Sequence, residues 1–417
     1  MYWWSYPSRI VAFILLPMYL GCAAIDGSMY AMLYKQSNNF ITGREFWMGL
    51  LGLVAFISAS WCAEPRSVNA APAYLDIHPL TFNKVLVTLY GVVLLCYAIF
   101  LMPVVSHPAL VMELANGSKT AMYDLRETLN RIPGVTTLVC LQSLCVTLHV
   151  GYARFTGYAA PRRYRILLVL LTIACVLRSW LWSERMALME LILPAVIMSA
   201  AAIDNGKKRW LALAPLAGFA GVFMLFSVGE YFRSWQYYQN MWNGNFIEFA
   251  WVRFIGYFAT SINNGATLVH FCDFLYMPVN TAAWFYTFPV WQMLGITFPP
   301  LMVYDTPETL TVIMMHGNIE FNNPGGIYIP FIDYGIVGGT LCWAVLGNLS
   351  GRLMRRFASG NPIGLLLYPV WFIGVLELLR IFYWGNGRFF PVIVAAFIIT
   401  LYVKDKRTPP VNQDIST

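Results

Sequence analysis

Two arginines, Arg233 and Arg253, stand in a stretch otherwise rich in aromatic and amide side chains: EYFRSWQYYQNMWNG (230–244), then FAWVRFIGYFATSINNG (249–265). A guanidinium is planar, permanently charged and forked, and its N–H donors match the oxygens of a phosphate or pyrophosphate. Arg178 and Arg185 carry the same group in RSWLWSERMALME (178–190). Beside the first pair lie Glu230, Trp235, Tyr238, Tyr257, Asn263 and Asn264. Aromatic faces stack on sugar rings, while amide and carboxylate groups bond to hydroxyls. Together these residue types point to a glycan that bears phosphate. Each residue taken singly fits a plainer role equally well. The aromatics suit an interfacial belt, and the charges suit structural ion pairs such as Glu184 with Arg388 or Glu377 with Arg380.

The elements that must position these side chains are membrane helices. The chain has 417 residues, of which 59% are hydrophobic, 16% aromatic and 11% charged. A soluble domain carries about 25% charged residues. Several runs reach the length of about 18 or more apolar residues that crosses a bilayer as a helix. Short alternating segments, the mark of a transmembrane barrel, are absent. The expected fold class is therefore an all-α polytopic integral membrane protein, forming one membrane domain over 1–417. Spans are expected near 10–32, 46–63, 84–106, 134–155, 165–183, 186–203, 209–229, 327–350, 363–383 and 389–403. The first is read as a retained signal anchor. Two further apolar stretches, 246–269 and 281–303, would raise the count from ten to twelve if both cross.

Charge sets the direction. PRRYR (161–165), KKR (207–209), RLMRR (352–356) and KDKR (404–407) all fall on one side if ten spans alternate, as do Arg9, Arg66 and Lys84. The positive-inside rule makes that side cytoplasmic, with both termini on it. The loops 107–133 and 230–326 then face outward, and a tail over 408–417 reads as disordered. Nearly all remaining charge falls in the outer half, including Glu190, Asp333, His270, Asp273, His316 and Glu320. Charge inside a membrane costs at least ~2.5–3.5 kcal/mol and usually lines a cavity. The one-sided set therefore favours an outward-open polar cavity. The net charge of +7 reflects the basic loops and gives no reason to expect nucleic acid.

The motifs that are missing narrow the chemistry. There is no P-loop, no HExxH, no Cys/His cluster and no DxD carboxylate pair. No metal and no cofactor is expected. The eight cysteines form no CxxC and no disulfide framework.

Four segments resemble one family. They are LNRIPGVTTL (129–138), LRSWLWSERMALMELILP (177–194), VGEYFRSWQYYQ with FAWVRFIGYFATSINNG (228–265), and NNPGGIYIPFIDYGIVGGTLCWAVLGNLSGRL (322–353). Over roughly 125–355 the chain resembles the bacterial oligosaccharide repeat-unit polymerases, the Wzy-type O-antigen or capsule polymerases. The Pro-Gly turn followed by D-Y-G-x-x-G-G carries most of the likeness.

The resemblance implies a GT-C-like bundle in the bacterial inner membrane with its active site at the periplasmic face. It implies a metal-independent glycosyltransferase. Such an enzyme moves a growing glycan from undecaprenyl diphosphate to a sugar hydroxyl on the next lipid-linked unit. It implies partners as well: undecaprenyl-diphosphate-linked oligosaccharides, membrane lipids, a chain-length regulator and a flippase. Arginines in periplasmic loops, sometimes spaced R-x10-G, would hold diphosphate. Arg233 and Gly244 have that spacing, and Arg253 and Gly265 are one residue further apart. Arg178 and Arg185 would serve a second diphosphate. A group must accept the hydroxyl proton. His316 is the first choice because imidazole titrates near working pH. Glu184, Glu190 and Asp333 are the alternatives. An O-antigen ligase acting on the lipid A core, and a transporter or flippase of lipid-linked sugars, are the competing functions.

Overall fold

The computed structural model describes residues 2–66, 74–115, 134–182, 185–202, 209–299, 306–318 and 320–404. Every regular element among the described residues is a helix. In hydrocarbon only helices and closed barrels satisfy all their backbone polar groups, so long apolar runs must coil in this way. Five helices are long and apolar enough to cross a membrane: α3 (Gly43–Ala63), α4 (Pro79–Ser106), α6 (Arg162–Trp182), α8 (Trp210–Glu230) and α11 (Gly326–Ala358). Before them, α1 (Pro7–Ala23) and α2 (Gly27–Tyr34) meet at a 97° bend and together make a sixth candidate. Four shorter apolar helices complete the set: α5 (Val139–Val150), α7 (Met186–Ala202), α12 (Pro362–Leu376) and α13 (Phe390–Lys404). Each of the ten expected apolar runs thus contains helix. Residues 116–133 of the expected loop 107–133, and the whole of the expected tail 408–417, lie outside the described residues.

The segment 246–303, which the sequence leaves open between further spans and other helices, is described over 246–299. It holds one long helix, α9 (Phe246–Phe271), and then only the short turns Ala283–Tyr286 and Pro289–Met293 among its described residues. Among the described residues, 281–299 holds no helix long enough to cross a membrane. The start of α9 is set by a capping box: Asn245 accepts from the Glu248 backbone N–H, and Glu248 accepts from that of Asn245. Fifteen of its 26 residues are buried. Trp251, Phe254 and Tyr257 interleave with Phe219, Phe223 and Phe226 of α8, with ring centroids 5.2 to 6.0 Å apart.

α11 explains the D-Y-G-x-x-G-G stretch. It breaks at Gly335, whose φ of 68° and ψ of −171° would strain any side chain. Lower down, Gly347 and Gly351 face α3. A Cβ at these positions would lie 2.3 Å from the Phe56 carbonyl oxygen and 2.4 Å from that of Ser60. This small-xxx-small face lets the two backbones approach closely, as membrane helices do.

Side-chain bonds define two ends of the bundle. At one end Ser8 donates to Glu64, Arg355 donates to the Glu64 carbonyl, and Tyr368 donates to the Ser5 carbonyl. There too the Trp3 and Trp4 indoles donate to the carbonyls of Ala212 and Leu211. This end carries Arg9 and the run RLMRR. At the opposite end Gln36 meets Asn264, Asn280 and Thr281 meet Asp333, and Glu190 meets Arg388. Among the described residues, Arg9 and RLMRR thus lie at the end of the bundle opposite the buried ion pairs described next.

Candidate functional site

The site grows from helix ends. α8 closes on Glu230 and passes into a π-helical turn, Tyr231–Trp235. One extra residue per turn re-aims side chains, and such turns recur at functional sites. Glu230 is fully buried and bridges two guanidiniums. Arg185 Nη2 lies 2.6 Å from Oε1, and Arg253 Nε lies 2.6 Å from Oε2. Arg253, one turn into the buried part of α9, turns the rest of its fork to Glu320. Its Nη1 is 3.3 Å from Glu320 Oε2, and Nη2 binds Oε1. Tyr238 donates to Glu320 Oε2 at 3.4 Å.

Aromatic rings surround these charges. Arg253 lies over Phe321 at 4.6 Å, with Phe249 and Tyr238 at 5.4 and 5.6 Å. Arg185 lies over Phe226 at 4.0 Å and Tyr257 at 5.4 Å. Removing a guanidinium from water is costly, and ring faces with paired carboxylates offset that cost. Burial works to lower the proton affinity of Arg253, but Glu230 and Glu320 more than offset it and hold the group above its ordinary range. Arg253 therefore stays charged at any working pH.

The network continues. Arg380 donates to Tyr257 Oη at 2.6 Å and to Glu377 Oε2 at 2.6 Å. Tyr383 donates to Glu190 at 3.2 Å and senses the charge of Glu377. Arg388 grips Glu190 with both arms, at 2.8 Å each. Arg178 is buried within electrostatic reach of Glu190 and over the Phe100 ring at 5.3 Å. Two neighbouring groups result: Arg388 on Glu190, and a run from Glu377 and Arg380 through Tyr257 to Arg185, Glu230, Arg253 and Glu320.

The sequence-derived set is brought together in part. Arg185, Glu230, Arg253, Tyr238 and Tyr257 share one cluster. Trp235 packs beside it against Phe246 and Phe249. Arg178 sits with Glu190 and Arg388 instead. Arg233 lies in the π-turn, where its side chain is outside the described set, and Glu184 lies outside the described residues. The expected pair Glu377–Arg380 forms, whereas Arg388 pairs with Glu190.

Three expectations are corrected. Asn263 and Asn264 are fully buried and do not present amides to a sugar. Asn263 bonds to Gln36, the Asn38 carbonyl and the Phe40 N–H. Asn264 accepts from Gln36 and the Asn318 N–H and donates to the carbonyls of Phe321 and Asn323. The two amides clamp both flanking loops to α9. Asp333 is fully buried and accepts four hydrogen bonds from the backbone and side chains of Asn280 and Thr281. Its carboxylate anchors that loop and has no lone pair aimed at a substrate. His316 bonds to Ser37 at 2.9 Å and stacks on Phe271 at 4.4 Å. Phe271 is eighteen residues beyond Arg253 on one uninterrupted helix, roughly 27 Å along the axis at about 1.5 Å per residue. A base there and a diphosphate on Arg253 cannot share one bond, which demands reach of about 3 Å.

Sequence reasoning missed Glu320, which appeared only as one loop charge among several. It also missed Lys35, whose ammonium lies 5.6 Å from the Tyr238 ring. Neither stands in a motif, and loop paths alone bring them here. Among the described residues no three His, Cys, Asp or Glu side chains gather as metal ligands.

The clamp gives a first prediction. Asn264→Ala would leave the Asn318 N–H and two carbonyls without their partner, at about 1–3 kcal/mol for a buried unsatisfied group. The variant is expected to reach the membrane in reduced amount and to unfold at lower temperature in detergent, with normal activity per folded molecule. Wild-type stability would show that the loops hold without it.

No family model, no curated protein and no solved structure matches the chain significantly.

Proposed function

We propose that this protein is a glycosyltransferase that polymerises undecaprenyl-diphosphate-linked repeat units into a surface polysaccharide at the periplasmic face of the bacterial inner membrane. One observation carries the reading. At the end of the bundle opposite Arg9 and RLMRR, Arg185 and Arg253 are held in aromatic surroundings around a fully buried carboxylate. That arrangement suits an anion whose charge grows as a bond breaks, because preset donors need not reorganise. Diphosphate leaving from a sugar is such an anion. Arg253 and Arg185 would take its oxygens, and Tyr238, Trp235 and Tyr257 would face the sugars. If the bent α1–α2 pair and the four shorter apolar helices also cross, ten crossings would leave both termini on the cytoplasmic side that the positive-inside rule favours.

Two measurements test this. In a deletion strain, single repeats attached to lipid A are expected; unattached lipid-linked polymer would instead mark a ligase, and an unchanged ladder would end the proposal. For topology, cysteines placed at the exposed positions Asn240 and Glu308 should react with a membrane-impermeant reagent from the periplasm. Labelling only from the cytoplasmic side would invert the protein and remove the active-site assignment.

A further inference from the structure

We propose that Glu320 is the group that accepts the proton of the attacking sugar hydroxyl, and that it is freed for this role when a diphosphate displaces it from the fork of Arg253. The inference rests on the function proposed above.

The carboxylates of the arginine network differ sharply in access. The Glu190 and Glu230 side chains are 0% exposed and the Glu377 side chain is 11% exposed, while that of Glu320 is 34% exposed. Each of the first three is held by guanidinium groups of neighbouring helix ends or turns. Glu190 lies within α7, Glu230 closes α8 and Glu377 caps α12, whereas Glu320 sits in the middle of a connecting segment, between α10 (Pro307–His316) and α11. An acceptor arriving from solvent meets Glu320 first.

The backbone on either side of Glu320 is pinned. Asn318 donates to the Tyr34 carbonyl and accepts from the Phe321 N–H, and Asn264 receives the Asn318 N–H and holds the Phe321 carbonyl. The side chain can therefore swing while its Cα stays beside Arg253. Both Nη atoms of Arg253 point at Glu320. A carboxylate and a phosphate present the same pair of oxygens to such a fork, so they compete for it. With Nε committed to Glu230, the two Nη atoms form the part of Arg253 that can change partner. Displacement leaves Glu320 within one side-chain length of the diphosphate, beside the anomeric carbon that carries it.

The step balances without any co-reactant. The acceptor oxygen forms a bond to the anomeric carbon of the donor glycan. The bond from that carbon to the phosphate oxygen breaks, and its electron pair leaves on undecaprenyl diphosphate. The hydroxyl proton passes to Glu320 and then to water, and Glu320 returns to Arg253 when the diphosphate departs.

The test uses the full chain in nanodiscs with undecaprenyl diphosphate as the probe, together with the glycan ladder of the deletion strain. The wild-type protein should be thermally stabilised by the probe, and Arg253→Ala should lose that response. Glu320→Gln should keep it and bind the probe more tightly, since the competing charge is gone. Its polymer output should nevertheless fall on the order of 10²–10⁴, the range for a lost general base. Glu320→Asp should restore part of the output. A full-length ladder from Glu320→Gln, or parallel loss of binding and polymer, would overturn the assignment. Failure of the wild-type protein to respond to the probe would instead remove the diphosphate site, and the role of Glu320 with it.

Discussion

Glu230→Gln is expected to lower the amount of folded protein in the membrane more than any other single change at the site. The Glu230 side chain is fully buried, and each oxygen accepts from a different arginine at 2.6 Å. Glutamine keeps the shape but removes the negative charge, and its NH2 group points a donor at one guanidinium. Arg185 and Arg253 would then face each other without the anion between them. Breaking a buried pair by deleting one partner costs about 3–5 kcal/mol, because the remaining charge stays desolvated. Here two charges remain, although Arg253 keeps Glu320. Combining Glu230→Gln with Arg185→Gln should therefore recover part of the loss. Thermal unfolding of the detergent-solubilised variants, read by fluorescence-detected gel filtration, measures both. A single variant as stable as wild type, or a double variant worse than the single one, would show that the bridge does not hold these helix ends together.

Arg253 is expected to give the opposite pattern, with lost function at nearly normal protein level. Its removal leaves Glu230 paired with Arg185 and Glu320 open to water, so no buried charge is orphaned. Arg253→Ala would take away a donor set aimed at the leaving group, a loss on the order of 10²–10³ in rate by comparison with deleted oxyanion donors. Arg253→Lys is the sharper variant. Arg253 uses Nε for Glu230 and both Nη atoms for Glu320. One ammonium cannot span both directions in a fixed plane, so lysine should restore charge and stability but little polymer. The readout is ladder length normalised to membrane protein. Full-length ladders from both variants would take Arg253 out of the active site.

Much of the architecture was legible because hydropathy is a local property. Each apolar run, from Pro7–Ala23 to Phe390–Lys404, forms helix where the sequence places it, since lipid leaves such a run no other way to satisfy its backbone. Arg9 and RLMRR share one end among the described residues, and their charge could be read without knowing how the helices pack. Hydropathy misled where burial is shared with protein. The stretch 281–303 is as apolar as a span yet forms only short turns among its described residues, and Trp284 stacks on Phe390 at 4.2 Å.

Partner choice was beyond the sequence. Arginine, glutamate and asparagine types near the helix ends could be read off, but which groups meet depends on helix crossings and loop paths. Asn263 and Asn264 look like sugar ligands by type, and the tertiary structure spends them on fastening loops to α9. Asp333 resembles a base by type, and four donors from residues more than fifty positions away saturate it. His316 and Arg253 lie in one outer segment, but a rigid helix rises about 1.5 Å per residue and holds their neighbourhoods apart. Glu320, unremarked among the loop charges, reaches Arg253 across 67 residues of chain. The sequence by itself determined a bundle of apolar helices and the types of charged residue that flank them. Only the folded chain decided which carboxylate each arginine faces, because burial and loop closure assign partners that no local pattern encodes.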